Sequence, residues 1–100
     1  MSSSPIFRAR AREDMAAAYR WYEDRRTGLG ELLLLEVHRC IGYILKTPGG
    51  FQRIHGPFRQ APVDHFPFVV IYRSSGSQVV VMRIFHTKQH PRKKTAGKGS

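Results

Sequence analysis

Phe58 to His86 reads FRQAPVDHFPFVVIYRSSGSQVVVMRIFH. Two apolar runs, Phe66–Arg73 and Gln78–His86, flank the turn-forming Ser74-Ser75-Gly76-Ser77. Runs of this length, rich in β-branched and aromatic residues around a Ser/Gly turn, predict a β-hairpin. Both strands are apolar at both parities in the middle, so both faces are at least partly covered. Phe58–Asp64 reads as a weaker strand, and Pro62 places it at an edge or a bulge, because proline cannot donate to a central ladder.

Upstream the period changes from two to 3.6. Glu13–Arg26 predicts a helix with Met15, Ala18, Tyr19 and Tyr22 on one apolar face. Glu13 and Asp14 suit its positive end, and Arg25 and Arg26 its negative end. Thr27-Gly28-Leu29-Gly30 breaks the pattern, with Gly28 suited to a left-handed cap and Leu29 to the apolar contact that goes with it. A second helix is expected over Glu31–Lys46, with Leu34, Val37, Ile41, Ile44 and Leu45 as its stripe, widened by Leu33. Thr47-Pro48-Gly49-Gly50 ends it. So tight a connection makes the two helices an antiparallel hairpin. Ile6–Arg10 reads as a short edge strand and Phe51–Gly56 as a loop. The expected fold is α+β: a two-helix antiparallel hairpin packed on one face of a small, mostly antiparallel sheet of three to four strands. The other face stays open for a partner. Residues 1–92 are expected to form a single domain, and 93–100 a basic flexible tail.

The net charge of +10 is unevenly placed. Residues 11–46 carry six basic and six acidic groups, whereas residues 47–100 carry nine basic groups against Asp64. Such asymmetry points to RNA, DNA or an acidic protein as partner. The single cysteine, Cys40, excludes an internal disulfide and a cysteine-based zinc site, and its helical apolar setting predicts a buried, inert thiol. No apolar run approaches the roughly 20 residues that cross a bilayer. The N-terminus lacks an export pattern, so no membrane partner and a cytoplasmic location are expected.

Several ordered pieces carry a family resemblance. They are the Ala11-Arg12-Glu13-Asp14 helix start, Trp21-Tyr22-Glu23, Gly28-Leu29-Gly30-Glu31, Leu35-Glu36-Val37 and the Thr47-Pro48 stop. Phe66-Pro67-Phe68, Ile71-Tyr72-Arg73, and a last strand ending at His86 before His90-Pro91-Arg92 complete the set. Over residues 6–92 the chain resembles the RelE/ParE superfamily of toxins from type II toxin–antitoxin modules, in its ParE-like "plasmid stabilisation" form. The resemblance implies a growth-inhibiting toxin neutralised by a cognate antitoxin, as a homodimer or a heterotetramer with that antitoxin, with no cofactor. It implies one of two targets. ParE-like toxins bind DNA gyrase and poison it. RelE-like toxins cut mRNA on the ribosome without a metal. A non-toxic interaction module with the same fold is the third reading, because a fold alone does not fix function.

An mRNA endonuclease of this kind needs a general base, a general acid and cations around the scissile phosphate. Arg83, His86 and Arg59 are the catalytic candidates under that reading. Arg73, Lys88, His90 and Arg92 are candidates for target or nucleic-acid binding. By alternation Arg83 shares a face with Val79, Val81 and Phe85, which directs it to the open face. The competing role is a salt bridge to Asp64 or a helix carboxylate. For His86 the competing role, and the default one, is structural: a bond to the backbone of the terminal turn. The His86/His90 spacing converges on a metal only in a helix, and none is expected there, so no metal site is assigned. Tyr72 is expected to pack with its hydroxyl satisfied at the sheet edge, and Trp21-Tyr22 to serve core or hairpin packing rather than base stacking. The apolar course of Phe66–Arg73 and the lack of a tyrosine after Arg92 favour a binding toxin over a nuclease.

Overall fold

The computed structural model describes residues 4–76 and 78–88. Its elements run β1 (Ile6–Phe7), α1 (Ala9–Arg25), α2 (Leu29–Lys46), a 3-10 turn (Pro48–Gly50), β2 (Gln52–His55), β3 (Phe58–Pro62), β4 (Phe68–Ser75) and β5 (Gln78–His86). Both helices pack on one face of a five-stranded sheet of order β1-β5-β4-β3-β2. Every pairing is antiparallel except β1 with β5. The expected α+β fold is therefore present, with one strand more than the three to four predicted.

The extra strand is β2, in the stretch read as a loop. All four of its residues are exposed, so burial leaves no alternating apolar signal. It forms by pairing with β3 around a turn at Gly56, whose φ of +55° suits glycine. Pro62 lies beyond the last residue that β2 covers, so its missing N–H costs the ladder nothing. β4 begins two residues later than expected, after Pro67, whose carbonyl accepts the Thr87 N–H at 2.9 Å.

Helix α1 starts four residues before its expected position. Ala11 is fully buried, so the apolar stripe runs Ala11, Met15, Ala18, Tyr22, all within reach of the core. In α2 the buried stripe is Gly30, Leu33, Val37, Cys40, Ile41 and Ile44. Leu45 is exposed instead. The rotation follows from two contacts. Gly30 meets α1, and the Cys40 thiol lies 3.5 Å from the Pro62 carbonyl on β3. Burial pushes the Cys40 thiol up to about 11, as expected of an inert cysteine.

The hairpin is fastened at its turn. Glu23 accepts the N–H of Gly28 at 2.8 Å and of Gly30 at 2.9 Å, satisfying two N–H groups at the start of α2. Gly28 has φ +93°, the left-handed conformation expected of it. The Trp21-Tyr22-Glu23 and Gly28-Leu29-Gly30 segments thus meet physically.

Tyr72 is fully buried and donates its hydroxyl to the Pro48 carbonyl at 2.6 Å. The partner is the turn after α2 rather than the sheet edge. The ladder between β4 and β5 slips at Met82, because Ile71 faces Arg83 whereas Tyr72 faces Val81. This β-bulge breaks the alternation assumed for β5. Val79 and Val81 join the core under the helices, while Arg83 and Phe85 share the open face with Ile71 and Val69.

Candidate functional site

A cleft of about 510 Å³ lies between α1 and the C-terminal half of β5. It exists because β1 is only two residues long and covers β5 at Val80 and Val81 alone. Beyond that point α1 takes over the flank. Asp14 accepts the Ile84 N–H at 2.9 Å, doing for β5 what a longer β1 would have done. The same carboxylate grips Arg83 at both ends, with Nε at 2.8 Å and Nη2 at 3.1 Å. The Arg83 side chain is 32% exposed and that of Asp14 is 16%. The bond to Asp14 pushes the Arg83 pKa up, against a smaller opposing effect of burial. Arg83 thus leaves the strand on the open face but folds over the sheet edge to a helix carboxylate.

The floor of the cleft is aromatic. Tyr22 stacks edge-to-face on Phe66 at 5.1 Å and on Phe68 at 6.2 Å, the packing role expected of it. Trp21 departs from expectation. It is 51% exposed and lines the cleft, with the Arg25 guanidinium 3.7 Å from its ring centre. One residue off the buried stripe is about 100° around the helix, which carries Trp21 out of the core.

His86 closes one end. Its ring meets Phe68 edge-to-face at 4.9 Å, and its Nδ1 accepts the Lys88 backbone N–H at 3.2 Å. This is the bond to the terminal turn weighed from sequence. Burial, with the Lys88 charge adding to it, lowers the His86 pKa below 6.5. A histidine that is harder to protonate when folded stabilises the fold most above the unfolded value of about 6.5. That contribution is lost as pH falls through the lower folded value. The His86 ring proton signal in NMR is therefore expected to titrate below 6.5, and His86→Phe to flatten the stability profile in that window. Titration at or above 6.5 would contradict the assigned environment.

The other candidates are dispersed. Arg59 faces Tyr72 across β3 and β4, on the helix side, and donates to the Phe51 carbonyl at 2.8 Å. It is two strands away from Arg83 and on the opposite face. Arg73 lies between Phe58 and Val80 on the open face. Lys88 is exposed just past β5. His90, Arg92 and the tail from residue 93 lie outside the described residues, as does the boundary at residue 92. The structure brings Arg83 and His86 to one cleft and leaves Arg59 and Arg73 elsewhere. Asp14, Arg10 and Trp21 line that cleft without having been marked as site residues. The one available signal was an arginine in an apolar strand that required a carboxylate. Among the described residues no group of three His, Cys, Asp or Glu side chains could hold a metal, and no helix is long and apolar enough to cross a membrane.

Comparisons with known proteins bear on the family and the fold. The family model described as "ParE toxin of type II toxin-antitoxin system, parDE" matches residues 6–91. Among solved structures the chain is similar to one from the chromosomal ParDE TA system from P. aeruginosa, at 16% identity and a TM-score of 0.72. The likeness covers 83% of this chain and 94% of that one, and at that identity it speaks for the fold alone. No curated protein matches the sequence.

Proposed function

We infer the function from one premise: the chain belongs to the ParE toxin family of type II toxin–antitoxin systems. It is a growth-inhibiting toxin, held inactive by a cognate antitoxin, and it acts by binding DNA gyrase rather than by cutting RNA. The observation that carries the second half is the bidentate Arg83–Asp14 pair. Metal-free RNA cleavage needs a base, an acid and cations within hydrogen-bond reach of one phosphate. Here the strand cation nearest His86 is already neutralised by a carboxylate. Arg59 is on the other face of the sheet, bonded to a backbone carbonyl. A surface of this kind binds through shape and charge.

The antitoxin fits the cleft between α1 and β5. An extended or helical segment with an apolar anchor over Trp21 and Tyr22, and acids toward Arg10, would complement it. Trp21→Ala is expected to weaken antitoxin binding at least tenfold, as loss of an aromatic anchor does. The melting temperature is expected to move little, because half the ring is already in water. Calorimetry on the purified pair reads both quantities, and unchanged affinity would remove the cleft as the antitoxin seat.

The gyrase reading is tested with purified components. The chain is expected to inhibit supercoiling by gyrase, and added antitoxin to reverse the inhibition. Inert behaviour toward gyrase, with cleavage of mRNA on translating ribosomes, would move the protein to the RelE-like alternative.

A further inference from the structure

A second recess, about 150 Å³, lies between α2 and the end of β3, and it shares no lining residue with the cleft between α1 and β5. Glu36, Arg39 and Tyr43 line it from α2, Phe51 from just before β2, and Asp64 from just after β3. The chain carries 17 lysines and arginines against seven carboxylates, and two of the seven meet here. Three of the others already have donors. Asp14 is held by Arg83 and the Ile84 amide, Glu23 by two amides, and Glu31 by the Tyr19 hydroxyl.

Glu36 is different. Its side chain is only 11% exposed, and its Oε1 is buried with no hydrogen-bond donor among the described residues. Arg39 Nη1 stands 3.7 Å from that oxygen, beyond hydrogen-bond reach, and the Arg39 side chain is 49% exposed. His65 Nδ1 approaches the other oxygen, Oε2, at 3.4 Å. A buried acceptor without a donor is costly, and for a charged oxygen more so, which makes Oε1 a seat for a donor from outside the chain. Asp64 is exposed at the mouth. Its charge, after burial, raises the pKa of the Cys40 thiol in the wall of the recess. The recess thus combines a buried acceptor, a second acceptor at the mouth, and the aromatic side chains of Tyr43 and Phe51.

That set suits a guanidinium. The group is planar, carries five N–H donors in a fork, stacks on aromatic rings and sheds water more readily than an ammonium. A metal ion fits less well, since no three His, Cys, Asp or Glu side chains converge among the described residues. The recess is also well below the roughly 300 Å³ at which pockets enclose a larger ligand, so it holds the end of one side chain. We propose that it is a socket for an arginine side chain of a partner protein. The guanidinium donates to Glu36 Oε1 and to Asp64, and its stem lies along Tyr43 and Phe51. Arg39, on the rim, is the competing cation and turns to solvent when the socket fills. The socket stands apart from the cleft, so the inference rests neither on gyrase nor on the seat of the antitoxin.

The test is an NMR titration of the isotope-labelled chain with arginine capped as N-acetyl and methylamide, which mimics a residue within a chain. Saturable shifts confined to the amides around Glu36, Cys40, Tyr43 and Asp64 are expected, with capped lysine and free arginine several-fold weaker. Glu36→Gln is expected to weaken binding about tenfold, the loss of one charge-assisted bond. Asp64→Asn is expected to weaken it roughly threefold, because that carboxylate is exposed. Arg39→Gln is expected to tighten it several-fold by removing the competitor, a gain that no damaged fold would produce. Shifts that do not saturate, or that persist unchanged in Glu36→Gln, overturn the proposal. A preference for free arginine would overturn it in favour of a small-molecule site. Movement of the Glu36 signal in Arg92→Gln without any probe would overturn it by assigning the socket to the chain's own arginine.

Discussion

Gly30→Ala is expected to lower the melting temperature by about 8–16 °C. A Cβ at Gly30 would lie 2.7 Å from Tyr19 Cδ1, 2.8 Å from Glu23 Oε1 and 2.8 Å from the Tyr19 backbone carbonyl. The tyrosine ring can swing aside, but the carbonyl belongs to α1 and moves only if the hairpin opens. Opening it also stretches the Glu23 bonds to the Gly28 and Gly30 amides. Overpacking of this kind costs roughly 2 kcal/mol, and each kcal/mol shifts a domain of this size by about 4–8 °C. Gly42→Ala is the internal control. It sits in the same helix with open space around it, so the propensity gain of about 0.5–1 kcal/mol is expected to survive. Thermal unfolding of both variants reads the contrast. Equal and opposite signs are not required, but a stabilising Gly30→Ala would show that the helices do not approach as described.

Asp14→Ala is expected to cost about 2–3 kcal/mol. It removes three hydrogen bonds from one side chain, two to Arg83 and one to the Ile84 amide. The losses are unequal. The Ile84 N–H is left without its acceptor, and an amide with no partner costs more than the net worth of a bond. Arg83 is one-third exposed and can turn to water, which limits the electrostatic part. Arg83→Met is therefore expected to cost less, about 1 kcal/mol, since it leaves the Asp14–Ile84 bond in place. A double-mutant cycle isolates the coupling. Denaturant unfolding that finds Asp14→Ala within 0.5 kcal/mol of the wild type would show that the pair does not fasten α1 to β5.

The hairpin of β4 and β5 and the two helices were legible because each imposes a period on its apolar residues. β2 was not legible, because a strand exposed along its whole length has no period to impose. Arg83 reaches the open face as expected, but without Val79 and Val81, which turn to the core for a single local reason. One extra residue at Met82 shifts the pleat, and nothing in Val79-Val80-Val81-Met82 marks where the shift falls. The need of Arg83 for a carboxylate could be anticipated, but Asp14 is 69 residues away and carries no local sign of the pairing. His86 is the opposite case. Its alternative role required only the next turn of chain, and that short-range bond is the one found. Trp21 was grouped with Tyr22 by adjacency, although neighbours on a helix point about 100° apart. The site is thus built from contacts between the first helix and the last strand, which is the separation at which sequence patterns carry least.

The proposed activity is that of a gyrase-binding toxin in which Arg83 and Arg59 are held by Asp14 and the Phe51 carbonyl. Its most direct test is induced expression in a bacterial host, with mRNA integrity and gyrase–DNA breakage followed together. Intact mRNA, accumulating gyrase–DNA breaks and arrested growth are the predicted result. Transcripts cut at ribosome-occupied codons, with normal supercoiling, would contradict it and return Arg83, His86 and Arg59 to the role of catalytic candidates.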